Sequence, residues 1–197
     1  MKAMGQIITH YSSPLGAITL AGESEFLTGL WFDGQKHFAE TLPLEHREGA
    51  LPVLEKTKQW LKLYFQGETP GWMPPLRPSG SPFRLAVWEV LRKIPRGQVV
   101  SYGWIAEELV RRGECATNAP RAVGGAVGHN PISILIPCHR VVGGNGRLTG
   151  YAGGIDRKIR LLSLEGIRPE TLHSPMRTGC YYRSTMESRE RGVPERR

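Results

Sequence analysis

The stretch GETPGWMPPLRPSGSP, residues 67–82, divides the chain. Its five prolines fix φ and remove backbone donors, and its glycines favour turns. Neither a helix interior nor a central strand runs through such a segment. It reads as a linker or domain edge, with residues 1–78 as one domain, 79–170 as a second and 171–197 as a tail. The two sides also differ in hydrophobic period, so they call for different elements.

Before the divide, QIITH (6–10), GAITLA (16–21) and FLTGLWF (26–32) are short, rich in β-branched and aromatic residues, and separated by turn sequences. They read as a meander. LPVLEKTKQWLKLYFQG (51–67) carries Leu54, Leu61 and Phe65 on one helical face, with Val53, Trp60 and Tyr64 beside it, and ends at Gly67. Trp31, Trp60 and Trp88 read as core residues.

After the divide the chain reads as mostly helical. Ser81 and Pro82 open a helix that turns Phe83, Val87, Val90, Leu91 and Ile94 inward. Ser101 begins a second, over 102–112, and a turn at 113–118 leads into a third, APRAVGGAVGHN (119–130), for which Asn118 and Pro120 are starting residues. ISILIPCHRVV reads as extended. A last helix, GIDRKIRLLSLEG (154–166), places Ile155, Ile159 and Leu162 on one side. Residues 171–197 hold few apolar positions and read as a flexible tail.

Two packed helices joined by a turn, the second opened by Arg121, suit DNA binding, though any helical pair shares that pattern. The second of them is unusual. RAVGGAVG holds three glycines, each about 0.8–1 kcal/mol worse than alanine inside a helix. Such a helix is retained where something approaches its backbone closely, either a neighbouring helix or a nucleic-acid backbone. Charge points the same way. The formal net charge is +8, with residues 1–78 at −1, residues 79–170 at +6 and residues 171–197 at +3. A positive field confined to the second half suggests a polyanionic partner, or simply a basic surface.

The three cysteines, Cys115, Cys138 and Cys180, are odd in number and widely spaced, which fits free thiols in a reducing compartment. No CxxC pair and no cysteine or histidine set at zinc-ligand spacing is present, so no metal and no cofactor are expected. No apolar run reaches membrane-span length, and MKAMGQIITHYSS lacks a signal-peptide core. The expectation is a cytoplasmic protein, or a nuclear one in a eukaryote.

ILIPCHRVVGG (134–144) brings a thiol, an imidazole and a guanidinium together. A thiol becomes nucleophilic as thiolate, which a nearby base or cation promotes. Glu165, at the end of the last helix, is placed to orient His139 in a Cys-His-acid arrangement, but sequence adjacency alone does not establish contact.

NPISILIPCHRVVG, preceded by SYGWIAEEL and PRAVGGAVG and followed by GYAGG and LLSLEG, resembles the O6-alkylguanine-DNA alkyltransferases, also called methylated-DNA–protein-cysteine methyltransferases. The resemblance is strong over 81–168, weaker but consistent over 6–66, and absent from 171–197. It implies an α/β N-terminal domain, a small antiparallel sheet with a helix of ribonuclease-H-like type, and a mostly α C-terminal domain with a winged-helix-like helix-turn-helix. It implies direct DNA repair. A monomer would bind double-stranded DNA through the minor groove, flip out the alkylated guanine (or O4-alkylthymine), and take the alkyl group once and irreversibly. By this resemblance Cys138 is the acceptor, His139 a base acting through water, Glu165 its orienting acid, and Tyr102 the group that hydrogen-bonds or protonates the departing guanine. Arg121 would fill the space left by the flipped base, with Ala122, Gly125 and Ser101 also at the DNA. Asn130, Pro137, Val141, Tyr151, Ala152 and Gly153 would form the base pocket, with Asn130 tying the recognition helix to the active-site segment.

The chain departs from the family pattern in places. Ala152 stands where many members have serine, and the turn before Arg121 is longer than in many. Some members carry an N-terminal zinc; residues 1–78 hold no cysteine, so none is expected. Two other classes compete. An alkyltransferase-like lesion-binding protein would lack the acceptor cysteine, and a Cys-His hydrolase would leave the helix-turn-helix unexplained.

Overall fold

The computed structural model describes residues 5–168, 170 and 172. The expected tail, apart from Leu172, and Cys180 lie outside the described residues. Three strands, β1 (Gln6–Ser13), β2 (Gly16–Glu23) and β3 (Phe26–Phe32), form the antiparallel meander that their β-branched and aromatic residues and intervening turns predict. The sheet is not wholly antiparallel. Residues 33–45 carry the chain from the end of β3 to the far edge, where β4 (His46–Glu48) pairs parallel to β1, giving the order β3-β2-β1-β4. A parallel pair requires such a crossover, and three exposed polar residues gave no strand signal.

Helix α1 (Pro52–Phe65) packs on the sheet through Val53, Leu54, Trp60, Leu61 and Tyr64. Phe65, expected inward, is only half-buried; Tyr64 takes the interior position. Trp31, Trp60 and Trp88 are all buried, as expected.

The proline-rich segment does more than separate the two halves. Leu27 donates its N–H to Pro75 O (2.8 Å), and Arg77 donates to Leu27 O (2.8 Å), so the segment runs along the outer edge of β3. Further along that edge Leu30 donates to Pro131 O, and Ser133 donates to Leu30 O, both at 2.9 Å. The segment leading to Cys138 is thereby anchored on the N-terminal sheet. One hydrophobic core, from Ile7 to Leu161, runs through both halves.

The helical half follows its local signals. Ser81 Oγ caps α2 (Pro82–Arg92) and Ser101 Oγ caps α3 (Tyr102–Arg111), by accepting from Arg84 N and Trp104 N. Helix α4 (Pro120–Gly128) opens on Pro120; Asn118 does not cap it, since Ala119 occupies that position without a side-chain bond. Trp88 Nε1 donates to Ala126 O at 2.9 Å and ties α2 to α4. Two short strands, β5 (Val100–Ser101) and β6 (Val141–Val142), pair in parallel.

Two expectations need correction. The run ISILIP is not a strand. It folds into tight turns, with Ile134 at φ +69°, Leu135 N donating to Ser133 O and Cys138 N donating to Ile136 O. A β-branched residue in the left-handed region costs about 1–2 kcal/mol, so the surroundings must hold it there. The last helix, α5 (Ile155–Leu164), turns Lys158, Leu161 and Leu162 inward; Ile155 is exposed and Ile159 half-buried. The apolar pattern misled because the buried stripe contains a lysine and ends in a glutamate. Among the described residues no helix is long and apolar enough to cross a membrane.

Candidate active site

Asn130, just past α4, organises the turns before the cysteine. Its Oδ1 accepts from Ile132 N (3.0 Å), and its Nδ2 faces Ile136 O (2.8 Å), Ile132 O (3.3 Å) and Cys138 Sγ (3.1 Å). A buried side-chain amide thus supplies partners that a strand neighbour would otherwise provide, and it holds the thiol directly. Buried Pro137 leads into a 3₁₀ turn, Cys138–Arg140.

That turn sends the Cys138 and His139 side chains into the interior, both in reach of α5. His139 Nε2 lies 2.8 Å from Glu165 Oε1, and both side chains are fully buried. The ionised carboxylate only accepts, so Nε2 carries the hydrogen and Nδ1 keeps its lone pair. Nδ1 is buried and makes no hydrogen bond among the described residues. Arg140 grips the same carboxylate through Nε and Nη2, each at 2.8 Å, and gives Nη1 to Ile94 O. Tyr64 Oη donates to Glu165 Oε1 at 2.8 Å. Glu165 sits where the helix dipole disfavours negative charge, and these three donors offset that.

The electrostatics follow from this arrangement. Burial works to raise the Glu165 carboxyl, but His139 and Arg140 outweigh it and hold it well below the usual carboxylate range. Burial keeps the His139 imidazole below its ordinary value despite Glu165, so at neutral pH it is an uncharged base. Burial pushes the Cys138 thiol up, and the Asn130 amide and the Lys158 ammonium oppose it. The resting state is therefore a protonated thiol that needs a base to react.

Lys158 was not singled out from the sequence. Its Nζ donates to Val141 O (2.5 Å) and Thr149 O (3.0 Å), and burial lowers its pKa to about 8. Thr149 Oγ1 in turn donates to Tyr102 Oη (3.2 Å), whose pKa is raised, mainly by burial. Tyr64 was missed in the same way, because its partner is far away in sequence; the Arg140 guanidinium was noticed, but not that it holds Glu165. Lys158→Met keeps the length and removes the charge. It is expected to raise the thiol pKa further, because the opposing ammonium is gone, and so to slow iodoacetamide labelling of Cys138 several-fold at pH 7. The two rate–pH profiles should converge above about pH 8, where Lys158 itself loses its proton; coincident profiles throughout would refute this role.

The remaining predicted residues lie nearby or on α4. The Val141 and Ala152 carbonyls already accept from Lys158 Nζ and Lys36 N, leaving one lone pair on each. Tyr151 is half-buried and Gly153 is buried against its ring, where a Cβ on Gly153 would come within 2.7 Å of Tyr151 Cε1. Arg121, Ala122 and Gly125 are exposed on α4, while Val123, Ala126 and Val127 face inward. A Cβ at Gly125 or Gly128 would meet nothing within 4 Å, and one at Gly124 would touch Tyr102 at an ordinary 3.8 Å. Packing within the described residues therefore does not account for the glycines at 125 and 128.

Two family models match. Residues 7–70 match the 6-O-methylguanine DNA methyltransferase ribonuclease-like domain, and residues 82–167 match the DNA binding domain of the same family. The chain belongs to the 6-O-methylguanine DNA methyltransferase family. Similar members include the methylated-DNA–protein-cysteine methyltransferase of Haemophilus influenzae, 39% identical over 81% of this chain and 86% of that one. That of Methanosarcina acetivorans is 42% identical over 79% of this chain and 96% of its own. A Mycobacterium tuberculosis OGT solved in complex with DNA superposes with a TM-score of 0.71 at 39% identity, covering 86% of this chain and 99% of that one. In this 6-O-methylguanine DNA methyltransferase family member the first matched segment ends and the second begins within the proline-rich stretch, at residues 70 and 82, and the cysteine, histidine and glutamate described above all lie within the second.

Proposed function

We propose that this chain repairs alkylated DNA directly, by moving the alkyl group from guanine O6 to Cys138. The observation that carries this reading is a buried thiol held by Asn130 beside an imidazole whose tautomer is set by Glu165. The thiol proton passes to His139 Nδ1, through a bridging water. Sulfur attacks the alkyl carbon, the C–S bond forms, and the C–O bond breaks. The guanine leaves with the electron pair, and a proton delivered through Tyr102 neutralises it. The products are a thioether and ordinary guanine. No water enters the acceptor, so each molecule acts once. No cofactor is consumed.

A base in a duplex must be extruded before such chemistry. Helix α4 supports this step: its exposed side carries Arg121 and glycines with open space in front of them, so a duplex backbone and minor groove can come close. Arg121 takes the place of the flipped base. Ser101, at the cap of α3, and Ala122 contact the same duplex. The pocket is closed by Pro137, Val141, Tyr151, Ala152 and Gly153. We place the protein as a monomer in a reducing compartment, where a free thiol persists.

The test is a duplex containing labelled O6-methylguanine. The label is expected on the peptide containing Cys138, at no more than one equivalent. Repeated release of label to solvent would indicate a hydrolase, and tight binding without transfer a lesion-binding protein; either outcome overturns the proposal. Arg121→Ala is expected to slow repair of the duplex by roughly tenfold or more, from a step that costs a few kcal/mol. Reaction with free O6-alkylguanine should be spared. Equal losses on both substrates would remove the role of Arg121 in extrusion.

A further inference from the structure

We infer that His37, Glu40 and His129 form a binding site for a divalent transition metal, with Zn²⁺ as the expected ion. The three residues lie away from Cys138, and their ligand atoms all fall within 4.8 Å of one another. Two imidazoles and one carboxylate are a donor set that suits zinc, leaving a fourth position for water. Glu40 and His129 lie 3 and 92 residues after His37, which is why the spacing rules gave no hint of them and no metal was expected from the sequence.

The geometry at His129 carries the inference. His129 Nδ1 lies 2.8 Å from Gly125 O, which only accepts, so Nδ1 bears a hydrogen and Nε2 is the nitrogen whose lone pair the uncharged ring offers to a metal. That lone pair faces Glu40 Oε2 at 3.9 Å. In the uncharged ring that lone pair and the carboxylate oxygen repel, and a metal ion between them turns both into ligands. Two ligands each about 2.0–2.2 Å from a zinc ion can be up to about 4 Å apart, so little movement is needed. The bond to Gly125 O is also the outer partner that metal-bound histidines usually have, fixing ring and tautomer. On the other side, His37 Nδ1 and Glu40 Oε1 are 2.5 Å apart, and the His37 and His129 rings stack at 3.8 Å. Metal takes the place of the hydrogen on His37 Nδ1, and the neutral ring then carries its hydrogen on Nε2.

The backbone is shaped for this. His37 and Ala39, neither a glycine, both lie in the left-handed region, at φ +58° and +54°. Strain of about 1–3 kcal/mol per such residue persists where the surroundings demand it, and it gathers at functional sites. The segment holding His37 and Glu40 also reaches the reactive centre. Lys36 N donates to Ala152 O, and Ser133 Oγ donates to Gln35 Oε1. His129 immediately precedes Asn130, which contacts Cys138 Sγ. The ion therefore pins residues 33–42 to the end of α4 and steadies the frame of the thiol, without touching it.

The test uses the untagged full chain with a non-thiol reductant. Titration with ZnCl₂ by calorimetry is expected to show one equivalent bound at low-micromolar affinity or better. His37→Ala and His129→Ala should each weaken it at least ~10-fold, as ligand loss does. Glu40→Gln should weaken it too, whereas His10→Ala and His46→Ala should not. Co²⁺ should give d–d absorption with no thiolate charge-transfer band. Zinc should raise the melting temperature of the parent chain and not that of His37→Ala. The proposal is overturned by the absence of stoichiometric binding, by affinities that ignore His37 and His129, or by a cobalt–thiolate band. The folded state of each variant is checked by its own melting transition without metal.

Discussion

Cys138→Ser is expected to abolish alkyl transfer from O6-methylguanine, by at least about 10³-fold, while the protein remains folded. The sulfur does two things that oxygen does not. A thiol is acidic enough to pass its proton to an uncharged imidazole before it attacks, whereas a hydroxyl gives its proton up only as it attacks, and thiolate is intrinsically the stronger nucleophile. Burial already pushes the Cys138 thiol up, so the step depends on His139 and on the opposing influence of Asn130 and Lys158. The serine hydroxyl would still accept from Asn130 Nδ2, so the buried amide keeps a partner and stability should change by no more than about 1 kcal/mol. Transfer is measured as label on protein in a single-turnover assay, and folding by thermal melting. Serine variant that still takes up label would place the acceptor elsewhere.

Glu165→Ala is expected to cost up to about 3–5 kcal/mol of stability, because it leaves the largely buried Arg140 guanidinium without its counter-ion. It also strips partners from Tyr64 Oη and His139 Nε2. Glu165→Gln keeps the volume and one acceptor, so it should fold and serve the kinetic test. It is expected to slow transfer while leaving DNA affinity intact, since the carboxylate sets the His139 tautomer and lies inside the protein. The two effects separate by pH. The folded Glu165 carboxyl is held well below its ordinary value, so the stability it contributes is complete above the usual carboxylate range and is lost as pH falls through and below that range. His139 acts in the same direction: its folded pKa is lowered, so stability drops as pH falls below about 6.5, where the unfolded imidazole takes up a proton. Urea melts should show the gap between the parent chain and Glu165→Gln constant near neutrality and narrowing in acid. A gap that stays constant down to acid pH would show that the carboxylate contributes nothing as an anion.

How much of this was legible in advance depends on the range of each interaction. The caps at Ser81 and Ser101 and the proline opening α4 are local, and those helices begin where expected. Cys138, His139 and Glu165 were singled out from the chain, and the structure brings them together with Asn130. The turns at 131–137 were not legible. Four apolar residues in a row suit a buried strand as well as a buried turn, and only the amide of Asn130 and the edge of β3 decide between them. The buried face of α5 was misplaced because Lys158 and Glu165 belong to it, and no hydrophobic pattern counts charged residues as interior. Arg140, adjacent to the reactive pair, is structural: it secures Glu165 and the end of α2 through Ile94 O.

Sequence by itself determined the two unlike halves, where α2, α3 and α4 begin, the candidate cysteine with its histidine, and the arginine-led glycine helix. Each of these is written in residues close together along the chain, where period, caps and motif spacing act. Tertiary structure alone decided which nitrogen of His139 is free, that Lys158 and Tyr64 serve the site, that β3 anchors the segment before Cys138, and that His37 and Glu40 meet His129. Most are encounters between residues far apart along the chain, such as the 101 residues between Tyr64 and Glu165. They depend on how one shared core folds the halves together, and no local pattern in the chain encodes that distance.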